Sequence, residues 1–381
     1  MKRKKILMLE NLPFDANIKI GSHHYAEHFS KDYQVLWISL PFHIMQYIKD
    51  RKSDRIRNWH FNRAKQINKN LFSITPFTFL PYRNNSFLKS DWYLENYYKF
   101  MPFLLSNIKK LGFDDVDIIW FTDPRHIGLL NKIKSKKIFY RCVDNLEHFD
   151  DIPKNLLNYE KELIKKSNSV FFTSHDLMMK FDTLNENVYY LGNGCDYENF
   201  NNYHSVKVDE VKKYFDLNKI NLLYIGAIAE WFDFKSIEIL AKERDVNIVI
   251  VGPIRTNIPD VFKKVSNVKF VGPYSYGYMS AFTNLADIGV IPFMINTMTD
   301  SVNPIKLYEY CASGLPVISS AFKTVQEIDG PFKLYKDENG LIEAFNWAKN
   351  IDDGAQKEIR KFALRNSWEA RANYVKIFFK E

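Results

Sequence analysis

Residues 299–320, TDSVNPIKLYEYCASGLPVISS, put a lysine in the first turn of an expected helix over 304–313. Asp300, Ser301 or Asn303 can cap the start, Pro304 suits the first position, and Gly314 ends the run before the strand signal Val317–Ile318. A helix start already presents partial positive charge, so Lys306 is unfavourable there unless an anion sits in front of it. Helix amides and a lysine together make a phosphate site. Glu309 follows one turn later on the same face, placed to accept hydrogen bonds from vicinal hydroxyls such as a ribose diol. The same two residues also fit a solvated ion pair on an ordinary amphipathic helix. The broken dipole preference favours the phosphate site.

Other chemistry-bearing residues stand just after apolar strand signals. Gly226 ends NLLYIGA, where a bare backbone lets amides approach a phosphate. Arg255 follows VNIVIVGP and can grip a phosphate or a sugar carboxylate bidentately. Tyr274, Tyr276 and Tyr278 follow VKFVGP and offer rings for a nucleobase, or for the core. The loop IPFMINTMTDSVNP brings Asn296, Thr299 and Ser301 to the mouth of the same strand array as Lys306. In the first half, IFYRCVDNLEHF ends a strand with Asp144, suited to be a general base on a hydroxyl or to cap the next helix. Asp15, His23 and His24 lie after the first strand, and Asp123 and His126 after another. Adjacent histidines do not face one ligand, so no metal site is expected. Asp115-Val-Asp117 precedes its strand and reads as a polar turn. GxGxxG, GxxxxGK[ST] and GxSxG are absent, which removes the usual support for dinucleotide, P-loop and serine hydrolase chemistry.

These positions need a scaffold of parallel strands. Strand and helix signals alternate through all 381 residues, too many for one ordinary core, so two α/β domains are expected. The expected boundaries are 1–200, 201–365, and a terminal helix over 366–381 that crosses back. Two such domains facing a central cleft bind ligands at the carboxyl ends of their strands. No apolar run reaches the roughly 18–20 residues needed to span a bilayer. MKRKKILMLE reads as a first buried strand rather than a leader, and three cysteines without metal or redox spacing suit a reducing cytoplasm. Residues 51–110 hold 12 basic against 3 acidic side chains, interleaved with aromatics from Trp59 to Phe103. That mixture suits the anionic inner face of a plasma membrane, with a solvated basic face over a core as the alternative. Nucleic acid is not expected, because no zinc spacing or RNA-recognition motif accompanies the charge.

The series YIGAIAEWFDF, VIVGP, VKFVGPY and IPF…NPIKLYEYCASGLPVISS resembles the GT-B glycosyltransferases, most of all the glucuronosyltransferases of bacterial polysaccharide assembly. IKIGSHHYAEHFS, YRCVDNLEHF and SVFFTS…YYLGNGCD add a weaker likeness in the first half. The resemblance implies two Rossmann-like domains, the second binding a UDP-sugar without metal or other cofactor. Lys306 and Ser301 would meet the diphosphate, Gly226 the phosphates through its backbone, and Glu309 the ribose. Asp144 would be the base acting on a lipid-linked saccharide acceptor. Retaining members of the family carry a glutamate eight residues before the Glu309 position, where this chain has Ser301, so inversion is expected. Glucuronate as donor sugar, with Arg255 against its carboxylate, rests on resemblance alone. A nucleotide-sugar epimerase of the same fold and a silent sugar-binding partner are the alternatives.

Overall fold

The structure, a computed structural model, describes residues 3–16, 18–43, 63–80, 90–148, 152–202 and 205–380. The chain forms two α/β units, Met1–Leu191 with Tyr374–Glu381, and Gly192–Asn373.

The first unit contains β1 (Lys5–Leu9), β2 (Gln34–Ile38), β3 (Phe42–His43), β4 (Lys65–Asn68), β5 (Leu71–Ile74), β6 (Phe77–Thr78), β7 (Asp115–Phe121), β8 (Lys134–Cys142), β9 (Ser169–Phe172) and β10 (Val188–Tyr190). Eight strands form one sheet in the order β10-β9-β8-β7-β1-β2-β5-β4, while β3 and β6 pair separately. Every neighbour in the large sheet is parallel except β4 against β5. Strands buried on both faces read as continuous apolar runs, which is why Ile6–Leu9 and Val170–Phe172 are legible in sequence. The β4–β5 hairpin gives no such signal: β4 is exposed and polar, and its turn is set by Asn68 Oδ1 accepting from Asn70 and Leu71 amides at 2.9 Å each. Strand β7 begins at Asp115, so Asp115–Asp117 is not the expected turn. Asp117 instead ties the strand start to its neighbours, accepting from the Lys5 amide at 2.8 Å and from Lys136 Nζ at 2.7 Å.

Core packing absorbs much of the aromatic content of residues 51–110. Phe77, Tyr93, Tyr97 and Tyr98 are buried, whereas Phe79, Trp92 and Phe103 are exposed. Trp59, Phe61, Tyr82 and Phe87 lie outside the described residues.

The second unit contains β11 (Ile220–Ile225), β12 (Val246–Val251), β13 (Val268–Gly272), β14 (Ile288–Ile291), β15 (Val317–Ser320) and β16 (Lys333–Tyr335). All are parallel, in the order β13-β12-β11-β14-β15-β16. This unit starts at Gly192 rather than at 201. The reason is anchoring: Cys195 and Phe200 belong to its core, and Asn193 hydrogen-bonds Asn303 through two contacts of 3.2 and 2.8 Å. The terminal helix runs Trp368–Phe378, and residues from Tyr374 onward belong to the first unit. There Phe379 packs on Phe29 and Phe139 with ring centroids at 5.0 and 5.5 Å. Among the described residues no helix is long and apolar enough to cross a membrane.

Candidate active-site groups

In the second unit the chain steps from β11 through β12 to β13, then returns to β14 on the other side of β11. Such a reversal opens a crevice beyond the carboxyl ends of the two central strands. Three loops meet there, held by backbone hydrogen bonds. Gly226 N–H donates to Val251 O at 2.9 Å, Ile228 to Pro253 O at 3.0 Å, and Arg255 to Ile228 O at 2.8 Å. Asp233 N–H donates to Pro292 O at 2.8 Å and Met294 to Trp231 O at 2.7 Å. Gly226 and Gly252 have φ of 153° and 149°. A Cβ on Gly252 would fall 1.9 Å from Gly226 O, and one on Gly226 would fall 3.2 Å from Lys306 Cε. Both positions therefore demand glycine, and the second sets the Lys306 stem against the loop backbone.

Lys306 enters from the helix Ile305–Ala312. Its Nζ lies 4.5 Å from the Phe293 ring centroid and 5.4 Å from that of Tyr224. It has no hydrogen bond or ion pair among the described residues. Loss of water around the ammonium lowers its pKa to about 8, with Glu309 opposing. No side chain caps the helix start, where Pro304 is the N-cap. The far end closes as expected, with Gly314 at φ 78° and the Gly314 and Leu315 amides donating to Cys311 and Tyr310 carbonyls. Glu309 is only 7% exposed, and burial raises its carboxyl to about 7 against the pull of Lys306 and Tyr276. The result is a desolvated cation at an uncapped helix N-terminus beside a glycine-rich backbone, with a carboxyl one turn behind.

Several expected binding residues are committed elsewhere. Asp300 caps another helix through the Lys323 amide at 2.8 Å, and the Ser301 hydroxyl donates to Met298 O at 3.2 Å. Asn303 is buried and engaged by Asn193, so neither capping of the Lys306 helix nor ligand contact falls to its side chain. Asn296 accepts from the Met298 and Thr299 amides, and the buried Thr299 completes that capping box. Tyr274 meets the Tyr214 hydroxyl at 3.1 Å and packs on Phe282 at 5.1 Å, while the Tyr276 ring meets Phe200 with centroids 6.1 Å apart. These contacts favour the core alternative over base stacking. Arg255 is exposed on the same loop system as Gly226, with no side-chain partner among the described residues.

In the first unit, Asp144 is exposed just beyond β8 and its carboxylate has no hydrogen-bond partner among the described residues. Surrounding protein raises its pKa, with Arg141 opposing. Asn145, not Asp144, braces the following turn by accepting from the Glu147 amide at 3.3 Å and Lys180 Nζ at 2.8 Å. Of the other acceptor-side candidates, His23, His24, His126 and Asp123 are buried in the first unit. His23 uses both ring nitrogens, on the Ile20 amide and Pro13 O at 3.1 Å each, between the Phe14 and Trp37 rings. His24 is buried, and that burial holds its pKa well below the usual histidine range. Burial likewise lowers the pKa of His126, whose Nε2 contacts Glu10 O at 2.9 Å. Burial opposes ionisation of Asp123, but the paired Arg125 at 2.5 Å outweighs it and keeps the carboxyl low. Asp15 is exposed opposite Lys65 at 3.5 Å. The aromatic seat of Lys306, Gly252 and the buried Glu10 are the groups that sequence reasoning missed.

Residues 219–351 match the family model described as glycosyl transferases group 1. TuaH of Bacillus subtilis, a protein named for a role as a teichuronic acid biosynthesis glycosyltransferase, is 26% identical over 231 residues. That match covers 56% of this chain and only 58% of TuaH. Among solved structures, sucrose-phosphate synthase from Thermosynechococcus elongatus superposes with a TM-score of 0.70 at 14% identity, covering 99% of this chain and 98% of that one. HepE of Anabaena, in complex with UDP and glucose, gives a TM-score of 0.66 at 12% identity, covering 99% and 100%. At these identities the likeness fixes the fold, which is GT-B.

Proposed function

From a chain that carries a glycosyl transferases group 1 domain in a GT-B fold, we propose a metal-independent sugar transferase. It takes the sugar from a UDP-sugar, with glucuronic acid as the candidate donor group, and passes it to a lipid-linked saccharide at the cytoplasmic membrane face. The observation that carries this reading is Lys306: a desolvated ammonium with no ion pair or hydrogen bond among the described residues, at a helix start that no described side chain caps. A diphosphate supplies the missing charge and accepts from the free amides. The UDP in HepE and in the UDP-2-fluoro-glucose-bound trehalose-6-phosphate protein of E. coli supports a nucleotide donor. Likeness to TuaH supports polysaccharide assembly.

In the reaction, Asp144 takes the proton from the acceptor hydroxyl as that oxygen attacks the anomeric carbon. The bond from that carbon to the diphosphate breaks, and UDP leaves with its charge held by Lys306 and the helix amides. Ser301, where retaining relatives have glutamate, supports inversion. Arg255, exposed and unpaired among the described residues, suits the donor carboxylate. The basic, aromatic stretch 51–110, with Trp92 and Phe103 exposed, suits an anionic lipid surface.

Calorimetric titration with UDP tests the donor site. A charge-assisted contact is worth about 1.5–3 kcal/mol, so Lys306→Ala is expected to weaken UDP by up to about 100-fold. Unchanged affinity would remove Lys306 from the site.

A further inference from the structure

The two amides flanking Ala227 in the loop after β11 are both spent on β12 and its loop. Gly226 N–H donates to Val251 O at 2.9 Å and Ile228 N–H to Pro253 O at 3.0 Å. The Ala227 N–H between them has no hydrogen-bond partner among the described residues. Its direction is set by the peptide it shares with Gly226. A trans peptide holds C=O and N–H on opposite edges, and no peptide bond among the described residues is cis. The Gly226 oxygen lies against Gly252, where an added Cβ would fall 1.9 Å from it. The Ala227 N–H therefore points away from β12 and its loop. Lys306 Cε lies 3.2 Å from where a Gly226 Cβ would stand, so the amide and the lysine stem flank the same stretch of backbone. The peptide on the other side of Ala227 is fixed too. Tyr224, buried near the end of β11, donates its hydroxyl to Ala227 O at 2.9 Å. Its ring is locked edge-on against Phe232 with centroids 4.8 Å apart, and the centroid lies 5.4 Å from Lys306 Nζ. One side chain thus holds the loop backbone by its oxygen and seats the ammonium on its ring.

We propose that Tyr224 is a positioning residue for the donor diphosphate: its hydroxyl locks the Ala227 carbonyl so that the Ala227 N–H and the Lys306 ammonium meet the same phosphate group. The proposal rests on the donor-site reading above. It moves the backbone contact from Gly226, whose amide is engaged, to Ala227. An amide held in place before the anion arrives donates a charge-assisted hydrogen bond without first paying to be ordered.

The test compares Tyr224→Phe with the parent full chain by calorimetric titration of UDP and of uridine, which has no phosphate. Phenylalanine keeps the ring beside Lys306 and removes only the hydroxyl. Loss of one charge-assisted hydrogen bond should weaken UDP by about tenfold or more, while uridine stays within about twofold of the parent. A second measurement needs no Tyr224 variant. In the parent labelled with 15N-alanine, the Ala227 amide signal, identified by its loss in Ala227→Gly, should move downfield with UDP and hold its place with uridine. A Tyr224→Phe chain that binds UDP as the parent does overturns the proposal, and so does an Ala227 signal unmoved by UDP. Equal losses for UDP and uridine also overturn it, since they mark a packing role. Should Lys306→Ala bind UDP as the parent does, the donor site itself is wrong and Tyr224 loses its role with it. With Lys306→Ala weakened and Tyr224→Phe unaffected, only the role of Tyr224 falls.

Discussion

Glu10 offers a quantitative test of how the first unit is built. It follows β1, has no exposed surface, and accepts from Thr122 Oγ1 at 2.9 Å. Burial raises its pKa from 4.5 to about 8, against the pull of Ser22, Thr122 and Arg141. The native state therefore keeps a proton that the unfolded chain has released, throughout the window between those two values. Native binding of the extra proton means stability falls as pH rises through that window. At about 1.4 kcal/mol per unit, Glu10 costs about 3 kcal/mol between pH 5 and 7.5, and on the order of 5 kcal/mol by pH 8.5. Glu10→Gln keeps the acceptor for Thr122 and removes the ionisation. Urea unfolding of parent and variant, followed through the tryptophans from pH 5 to 9, isolates this group from the similarly raised Glu160 and Glu309. The variant should be near parity at pH 5 and more stable than the parent by several kcal/mol at pH 8.5. A variant equally or more destabilised at pH 8.5 would mean that Glu10 is ionised in the native state and paired with Arg141, refuting the burial account.

Two further outcomes follow from the site geometry. Asp144→Asn should bind UDP like the parent while UDP release from a UDP-sugar in the presence of membrane extract drops about 10²–10⁴-fold; full turnover would dismiss Asp144 as the base. Gly252→Ala forces a Cβ to within 1.9 Å of Gly226 O and strains a φ of 149°, so its thermal midpoint should fall by several degrees and UDP affinity with it. A melt coincident with that of the parent would show that the two loops can part without cost.

Local spacing made the phosphate-site proposal legible. Glu309 stands three positions after Lys306, about one helical turn, so their shared face needs no tertiary information. Strand periodicity likewise announces the central strands, because burial on both faces leaves an unbroken apolar run. Local reasoning misjudged the caps. Asp300, Ser301 and Asn303 all have capping chemistry, but Asp300 and Asn303 found partners that only the folded chain brings near, and the Ser301 hydroxyl turns back to Met298 O three positions earlier.

The sequence by itself determined the alternation of strands and helices, the strand-end positions of Gly226 and Asp144, and the placing of Lys306 in a first turn. Only the tertiary structure decided which polar groups remain open to a ligand. Phe293 and Tyr224 strip water from Lys306 from two different strand ends, Asn193 claims Asn303 across 110 positions, and Glu10 becomes an acid that resists ionising. Desolvation and hydrogen-bond satisfaction depend on every neighbour in space, whereas periodicity and capping propensity are properties of a few consecutive residues.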